Sequence, residues 1–176
     1  MNGLSVRAST EADVARCHEI YAHHVLHGTA SFEIDPPDLA EMKKRRGHVL
    51  DLGLPHLVAE REGCVLGYAY ASNWRPRPAY AWSVEDSIYI DKDAVGQGVG
   101  KALLPVLIEQ CTALGKRQMV AVIGDSATLP SIRLHAACGF AMAGTLKSIG
   151  FKFNRWLDSV LMQRPLGAGD GALPLV

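Results

Sequence analysis

Residues 88–105, IYIDKDAVGQGVGKALLP, carry the pattern that decides the fold. An alternating apolar run ends at Asp91, glycines follow at Gly96, Gly98 and Gly100, and a helical apolar pattern then begins. A strand, a glycine turn and a helix start in this order leave several backbone N–H groups without partners. Glycine also lets the chain turn sharply and lets a ligand approach the main chain. We therefore predict that this segment binds a phosphate or a diphosphate.

The spacing of the glycines distinguishes between known phosphate-binding motifs. A nucleotide P-loop requires a glycine where Val95 stands and a Ser or Thr where Ala102 stands. A dinucleotide fingerprint also fails, because Lys101 or Leu103 occupies the position of its last glycine. The spacing that fits is [QR]-x-x-G-x-[GA], the acyl-CoA diphosphate loop of the GNAT N-acetyltransferases. Val95 replaces the usual Gln or Arg, which removes a side-chain contact but leaves the backbone donors.

The composition limits the class of protein. The chain has 176 residues, with 18 Lys and Arg against 18 Asp and Glu, so no net charge attracts nucleic acid or an acidic membrane. We find no signal-peptide pattern, no apolar run that would cross a bilayer, and no C-x-x-C spacing among the four cysteines. His23 and His27 lack a carboxylate or thiol that would complete a metal site. We expect one cytoplasmic domain over residues 1–166, a flexible tail over residues 167–176, no metal, and no nucleic-acid or membrane partner.

Apolar spacing predicts strands and helices in alternation. Helical spacing is seen near residues 14–28, after the Pro36-Pro37 break, and at 101–114 and 130–138. Strand patterns occur at 4–8, 56–61, 64–71, 83–90 and 119–123, and two more are predicted within 140–161. This order predicts a mixed-sheet α/β domain, which some schemes class as α+β.

From Trp74 to Gln163 the chain resembles the phosphinothricin and methionine sulfoximine N-acetyltransferases of the GNAT superfamily. The resemblance is carried, besides the glycine loop, by Trp74-Arg75, Tyr80-Ala81-Trp82, Val84-Glu85-Asp86-Ser87-Ile88-Tyr89, Ser131-Ile132-Arg133-Leu134-His135, Gly139-Phe140, Gly150-Phe151-Lys152-Phe153 and Trp156-Leu157-Asp158. It implies the GNAT fold, a mixed central sheet flanked by helices, whose fourth and fifth strands splay to admit the pantetheine arm. It also implies acetyl-CoA as co-substrate, a small amino-acid acceptor and a homodimer.

Two residues are candidates for proton transfer. Glu85 matches the general base of the resembling enzymes, and its apolar strand would raise its pKa. A salt-bridged strand carboxylate is the alternative, and the motif favours the base. His135 stands where many GNAT enzymes have the tyrosine that protonates the leaving thiolate, and the phosphinothricin enzymes have His there. A packed helix histidine is an equal alternative for His135.

The resemblance implies that coenzyme A contacts the end of the predicted fourth strand and the glycine loop. The implied contacts are Ser87, Ile88, Tyr89, Ile90, Val95, Gly96, Gln97, Gly98, Val99, Gly100 and Lys101. Thr128 stands where the family often has an Asn that binds the pantetheine arm. Ser131 keeps the family position, although a helix cap is equally possible.

The loop before Glu85 is predicted to bind the acceptor. Arg75 and Arg77 have guanidinium groups that match carboxylates and phosphinates through paired hydrogen bonds, and Tyr80 follows them. Surface arginines and core aromatic residues are the alternative. Further candidates are the aromatic walls Phe32, Trp74 and Trp82, and the cations Lys147, Lys152 and Arg155 of the C-terminal strands.

Together these features predict an acetyl-CoA-dependent N-acetyltransferase that acts on the α-amine of a small anionic amino-acid analogue. Both substrates would bind before direct attack, without an acyl-enzyme. One alternative is a non-catalytic acyl-CoA sensor, which the residues at Val95 and Thr128 favour. The combination of Glu85 with Arg75 and Arg77 argues against a sensor. A GNAT enzyme acting on a different amine is the other alternative.

Overall fold

A computed structural model describes residues 3–174, in which strands and helices alternate largely as the sequence predicts. The strands are β1 (Leu4–Ala8), β2 (His56–Arg61), β3 (Cys64–Asn73), β4 (Ser83–Ile90), β5 (Gln118–Gly124), β6 (Ala141–Lys152) and β7 (Arg155–Pro165). The α-helices are α1 (Val14–His27), α2 (Leu39–Asp51), α3 (Val99–Ala113) and α4 (Leu129–Ala137). The bounds of most predicted elements differ from these by one to a few residues. None of the helices within residues 3–174 is long and apolar enough to cross a membrane.

The sheet has seven strands in the order β1-β2-β3-β4-β5-β7-β6. All neighbours are antiparallel except β4 and β5, which are parallel. The β4–β5 pairing runs from Ser83–Gln118 to Asp86–Ala121 and stops there, while β4 continues to Ile90. The mixed sheet with diverging fourth and fifth strands is therefore confirmed.

Each face of the sheet packs against its own pair of helices. Leu103, Leu104 and Leu107 of α3 are fully buried on one face, and α1 and α2 cover Tyr68 and Tyr89 on the other. Successive side chains of a strand point to opposite faces. Glu85 and Ser87 of β4 therefore face the α1–α2 side with Tyr89, while Asp86 faces the α3–α4 side.

The chain after β7 begins with a buried residue and continues in turns. Leu166 is buried, residues 167–170 form turns, and the Arg117 side chain donates a hydrogen bond to the Leu173 carbonyl oxygen at 3.1 Å. Residues 175 and 176 of the predicted flexible tail lie outside the described residues. The flexibility of the tail stays a prediction.

Candidate active site

The glycine loop has a backbone that only glycine adopts easily. Gly96 and Gly98 have φ angles of 81° and 85°, and Gly98 is the N-cap of α3. A Cβ at either position would meet open space, so the requirement is conformational rather than steric. Gly100 differs, because a Cβ there would lie 2.8 Å from a methyl group of Leu134 in α4. The loop therefore presents the free N–H groups of the first turn of α3 to open space.

An open groove of about 520 Å³ begins at this loop and runs between the end of α1 and the start of α4; we call it the loop groove. It is lined by most of the residues predicted to contact coenzyme A: Ile88, Ile90, Val95, Gly96, Gly98, Val99, Gly100, Lys101, Thr128 and Ser131. Gln97 does not line it, because its side chain bonds instead to Arg61 and to the Asp93 carbonyl oxygen.

A second cavity, of about 260 Å³, lies where β4 and β5 diverge; we call it the strand cavity. It contains both catalytic candidates, Glu85 and His135, as well as Phe32, Ser87 and Tyr89. The strand cavity and the loop groove share Ala30, Ile88, Thr128 and Ser131 as lining residues. A ligand that extends along the loop groove would therefore reach the side chains of the strand cavity.

The Glu85 carboxylate has the character of a base. Within residues 3–174 it has no hydrogen-bond or ion-pair partner, so the alternative of a salt-bridged strand carboxylate is not seen there. Burial, with a smaller contribution from the charge of Asp86, raises its pKa to about 7, and the charge of Arg75 opposes this rise. Near neutral pH the group is therefore able both to accept and to release a proton.

His135 is enclosed and hydrogen-bonded at both ring nitrogens. Its side chain is 2% exposed, with Nδ1 2.8 Å from the Ser131 carbonyl oxygen and Nε2 2.9 Å from Oδ2 of Asp86. Burial alone would lower the pKa of His135, but the hydrogen bond and charge of Asp86 give a net rise. The histidine is thus a packed residue that also holds a proton.

Of the residues predicted to bind the acceptor, the structure brings Phe32 into the strand cavity with Glu85 but leaves Arg75, Arg77 and Tyr80 exposed outside its lining. The Phe32 ring lies against Gly150 of β6, where a Cβ would approach one ring carbon to 2.4 Å. Arg75 stacks on the Trp74 ring, with its guanidinium carbon 4.7 Å from the ring centre. Arg75 is therefore the loop arginine whose charge reaches Glu85.

Lys152, which was expected to add positive charge to the acceptor site, has its ammonium against the main chain between α1 and α2. The residue is 4% exposed, and its ammonium donates to the carbonyl oxygens of Gly28 at 3.0 Å and Ser31 at 2.8 Å. Desolvation lowers the pKa of Lys152. Lys147 and Arg155 are likewise engaged, each with an aspartate. The ammonium of Lys152 thus holds the first residues of the irregular segment 28–38, which joins α1 to α2 and carries Phe32.

Two polar residues of the strand cavity were not identified from the sequence. Asp86 holds His135, and Ser159 of β7 is buried on the cavity wall. Alternation along β4 indicates only that Asp86 faces away from Glu85, and no sequence pattern marks Ser159. Within residues 3–174, no group of three or more His, Cys, Asp or Glu side chains is arranged to hold a metal ion.

Comparison with known proteins gives concordant matches. The family described as Acetyltransferase (GNAT) domain matches residues 6–161. The chain is 58% identical over 170 residues to a phosphinothricin N-acetyltransferase of Alcaligenes faecalis, covering 97% of this chain and 86% of the relative. It is 38% identical over 167 residues to an L-methionine sulfoximine/L-methionine sulfone acetyltransferase of Salmonella typhimurium, covering 93% and 95%. A GNAT superfamily phosphinothricin acetyltransferase from Sinorhizobium meliloti, solved in complex with AcCoA, superposes with a TM-score of 0.95 at 49% identity, covering 98% of this chain and 93% of that one.

Proposed function

We propose, from the premise that the chain belongs to the GNAT acetyltransferase family, that it transfers the acetyl group of acetyl-CoA to the α-amine of a small anionic amino acid of the phosphinothricin or methionine sulfoximine type. The observation that carries this proposal is the junction of the two cavities. An anion-binding loop lies at one end, and an unpaired carboxylate with a pKa of about 7, Glu85, lies at the other.

The loop groove suits coenzyme A by its chemistry. Backbone N–H groups at the start of α3, together with the nearby cation Lys101, match a diphosphate. Val95 is 61% exposed and offers no hydrogen bond, so the backbone supplies most of the binding at this position. Thr128 points its hydroxyl to the Gly124 carbonyl oxygen at 2.9 Å, so its hydroxyl hydrogen is not free for the pantetheine arm.

Glu85 is the proposed general base. The attacking amine loses a proton as the carbon–nitrogen bond forms, and a carboxylate with a pKa of about 7 takes that proton near neutral pH. We propose direct attack with both substrates bound. Cys111 is an unsuitable nucleophile, because burial raises its thiol pKa to about 12, and neither Cys111 nor Cys138 lines the strand cavity. His135 is the proposed source of the proton for the departing thiolate.

The acceptor is proposed to bind between Phe32 and Glu85, with Arg75 supplying the charge that favours an anionic side chain. Phe32 forms one wall of the strand cavity, and the charge of Arg75 acts on Glu85. Phosphinate and carboxylate groups pair well with guanidinium groups. Phosphinothricin, the substrate named for the first relative, carries such a phosphinate, whereas methionine sulfoximine and methionine sulfone, named for the second, have uncharged side chains whose oxygens accept hydrogen bonds from a guanidinium group.

We also propose that the chain forms a homodimer through the β6–β7 hairpin. Ile149, Phe151 and Trp156 are large apolar residues that are half exposed or more, and Phe151 and Trp156 pack edge to face with ring centres 5.2 Å apart. Apolar clusters of this kind on an edge hairpin mark protein interfaces. Sedimentation equilibrium should show a dimer for the native chain and a monomer for Trp156→Lys. A native chain that sediments as a monomer would contradict the proposal.

The test of function is thiol release from acetyl-CoA by the purified chain with a panel of amines. The panel contains phosphinothricin, methionine sulfoximine, methionine sulfone, ordinary amino acids and polyamines. We expect release only with α-amino acids, fastest with the anionic analogues. Tight acetyl-CoA binding without release for any amine would support the alternative of a non-catalytic sensor. Release only with polyamines would support a different acceptor class.

A further inference from the structure

Three polar side chains form a row from the α3–α4 side of β4 to the junction of the two cavities. Asp86 bonds to Nε2 of His135 at 2.9 Å, and Nδ1 of His135 lies 3.4 Å from the hydroxyl oxygen of Ser131. Asp86 and His135 are both buried, whereas Ser131 is partly exposed and lines both cavities. The row therefore connects a buried acid–base pair to the place where the two proposed substrates meet.

The hydrogen bonds of His135 determine where its protons lie. Nδ1 is 2.8 Å from the carbonyl oxygen of Ser131, which can only accept a hydrogen bond, so Nδ1 carries a proton. Nε2 is 2.9 Å from a carboxylate oxygen of Asp86, and this contact also requires a proton between the two atoms. The Asp86–His135 pair thus holds two exchangeable protons and no net charge, a state that burial favours.

His135 cannot pass a proton directly to a ligand without breaking one of these bonds. Both ring nitrogens are hydrogen-bonded within the protein even though the ring lines the strand cavity, and Phe140 packs on the ring edge to face with ring centres 5.0 Å apart. Among the residues that the structure describes, the one side-chain hydroxyl in contact with Nδ1 is that of Ser131. The contact with Ser131 therefore offers a route for a proton from Nδ1 of His135 to the junction of the two cavities.

We propose that Ser131 is a catalytic residue that protonates the departing thiolate and is reprotonated by His135, with Asp86 as the positioning residue. This inference rests on the proposed acetyl transfer. As the carbon–sulfur bond breaks, its electron pair stays on sulfur and the Ser131 hydroxyl proton moves to sulfur. The Nδ1 proton of His135 then moves to the serine oxygen, and the remaining proton settles on Nε2, which leaves Asp86 ionised. The amine proton taken by Glu85 leaves to solvent, and the pair regains one proton from solvent before the next turnover.

The same three residue types also form nucleophilic triads, but the geometry favours the opposite direction of proton transfer. A serine nucleophile requires an unprotonated histidine nitrogen to accept its proton. Nδ1 of His135 faces the Ser131 carbonyl oxygen and is protonated, so it donates. The row is therefore a proton donor to the leaving group, which agrees with direct attack and no acyl-enzyme.

The first experiment compares Ser131→Ala, Ser131→Thr and the matched control Thr128→Ala in single-turnover thiol release at saturating acetyl-CoA and acceptor. Thr128 is a hydroxyl residue of the same cavities whose hydroxyl bonds to a carbonyl oxygen instead of His135. We expect Ser131→Ala to slow release about 10²-fold with little change in acetyl-CoA affinity, and Ser131→Thr to restore most of the rate. Thr128→Ala should slow release far less than Ser131→Ala, because it removes no hydrogen bond to His135. A Ser131→Ala variant that keeps the rate and loses only acetyl-CoA affinity would overturn the proposal.

The second experiment reads the protons directly and does not depend on turnover. ¹⁵N NMR of the native chain at neutral pH, with His135 assigned through His135→Gln, should show a proton on Nδ1. An Nδ1 atom without a proton would refute the proton-delivery row even if acetyl transfer is confirmed. Absence of thiol release from the native chain with every amine would instead refute the proposed function. The failures of the two proposals are therefore distinguishable.

Discussion

The Glu85→Gln substitution removes an ionisable group from the strand cavity while keeping its size. With a pKa of about 7 in the native chain, Glu85 is half ionised near neutral pH. The ionised fraction then rises from about one-tenth at about pH 6 to about nine-tenths at about pH 8, so the rate of a step that uses this base rises about tenfold. A glutamate with an ordinary pKa would give almost no change over the same range.

The assay is single-turnover thiol release at subsaturating acceptor across this pH range, for the native chain and for Glu85→Gln, because the rate then reports the pKa of Glu85 before the acceptor binds. The acceptor amine also gains reactivity as pH rises, and the variant retains that dependence, so the ratio of the two rates isolates Glu85. We expect Glu85→Gln to be slower by about 10²–10⁴-fold above neutral pH, with acetyl-CoA affinity little changed. Native and variant rates that differ little, or that run parallel between pH 6 and 8, would refute the assignment of Glu85 as the base.

Stability gives an independent readout of the same carboxyl group. The pKa of Glu85 is raised in the folded chain, so the group costs no stability below its ordinary pKa near 4.5. The penalty grows between about pH 4.5 and about pH 7, where the unfolded chain is more fully ionised at this group than the folded one, and it is constant at higher pH. Glu85→Gln should therefore be more stable than the native chain at alkaline pH, by about 1–3 kcal/mol after allowance for solvent in the cavity. The two chains should have equal stability below about pH 4, where Glu85 is largely protonated in both the folded and the unfolded chain. Urea unfolding at both pH values measures the difference, and an alkaline difference of the opposite sign would contradict a raised pKa.

Three further substitutions test neighbouring parts of the site. Arg75→Ala removes the charge that lowers the pKa of Glu85, so the pH–rate profile should move to higher pH; an unmoved profile would show that Arg75 acts elsewhere. Lys152→Met removes the contacts that hold the segment between α1 and α2, so the acceptor KM should rise by about tenfold. The acetyl-CoA KM should rise less. As a control, Lys147→Met at an exposed position should change both KM values by less than about twofold. Gly98→Ala places a side chain at a φ of 85°, which costs about 1–2 kcal/mol, so acetyl-CoA binding measured by calorimetry should weaken; unchanged affinity would mean that the loop does not contact the diphosphate.

The elements of the fold were predictable from the sequence because each has a strong local signal. The Glu62-Gly63 pair, for example, indicates a hairpin, and both residues have positive φ angles between β2 and β3. The helix after Gly98 follows from its apolar spacing and begins within two residues of the predicted start. Such signals depend on residues that are close in the sequence, so they can be recognised without knowing the tertiary structure.

The parts of the site that the sequence did not predict depend on contacts between distant segments. Lys152 is buried through two carbonyl oxygens more than one hundred residues away in the chain, and lysine is rarely buried without an acidic partner. The contact between Asp86 and His135 spans 49 residues and has no local pattern. Arg77 was assigned by its position in the loop, but the short 3₁₀ turn at Pro78–Tyr80 follows it and the arginine stays in solvent. The direction of such a side chain depends on backbone geometry that residue types do not specify.

The short contact between β4 and β5 makes the sheet two half-sheets joined along a narrow seam. Within residues 3–174 only four residue pairs join them, and beyond Asp86 this edge of β4 has no neighbouring strand in that range up to Ile90. An extended ligand that carries amide groups fits such a gap, because its amides can hydrogen-bond to the free edge of β4 as a neighbouring strand would. The protein would then be most cohesive when loaded, and its amides along residues 87–90 should exchange with solvent more slowly once acetyl-CoA is bound. The gap between β4 and β5 would then serve both substrate binding and the stability of the sheet. Mutations that extend the β4–β5 pairing in the unliganded protein should therefore block the binding of acetyl-CoA.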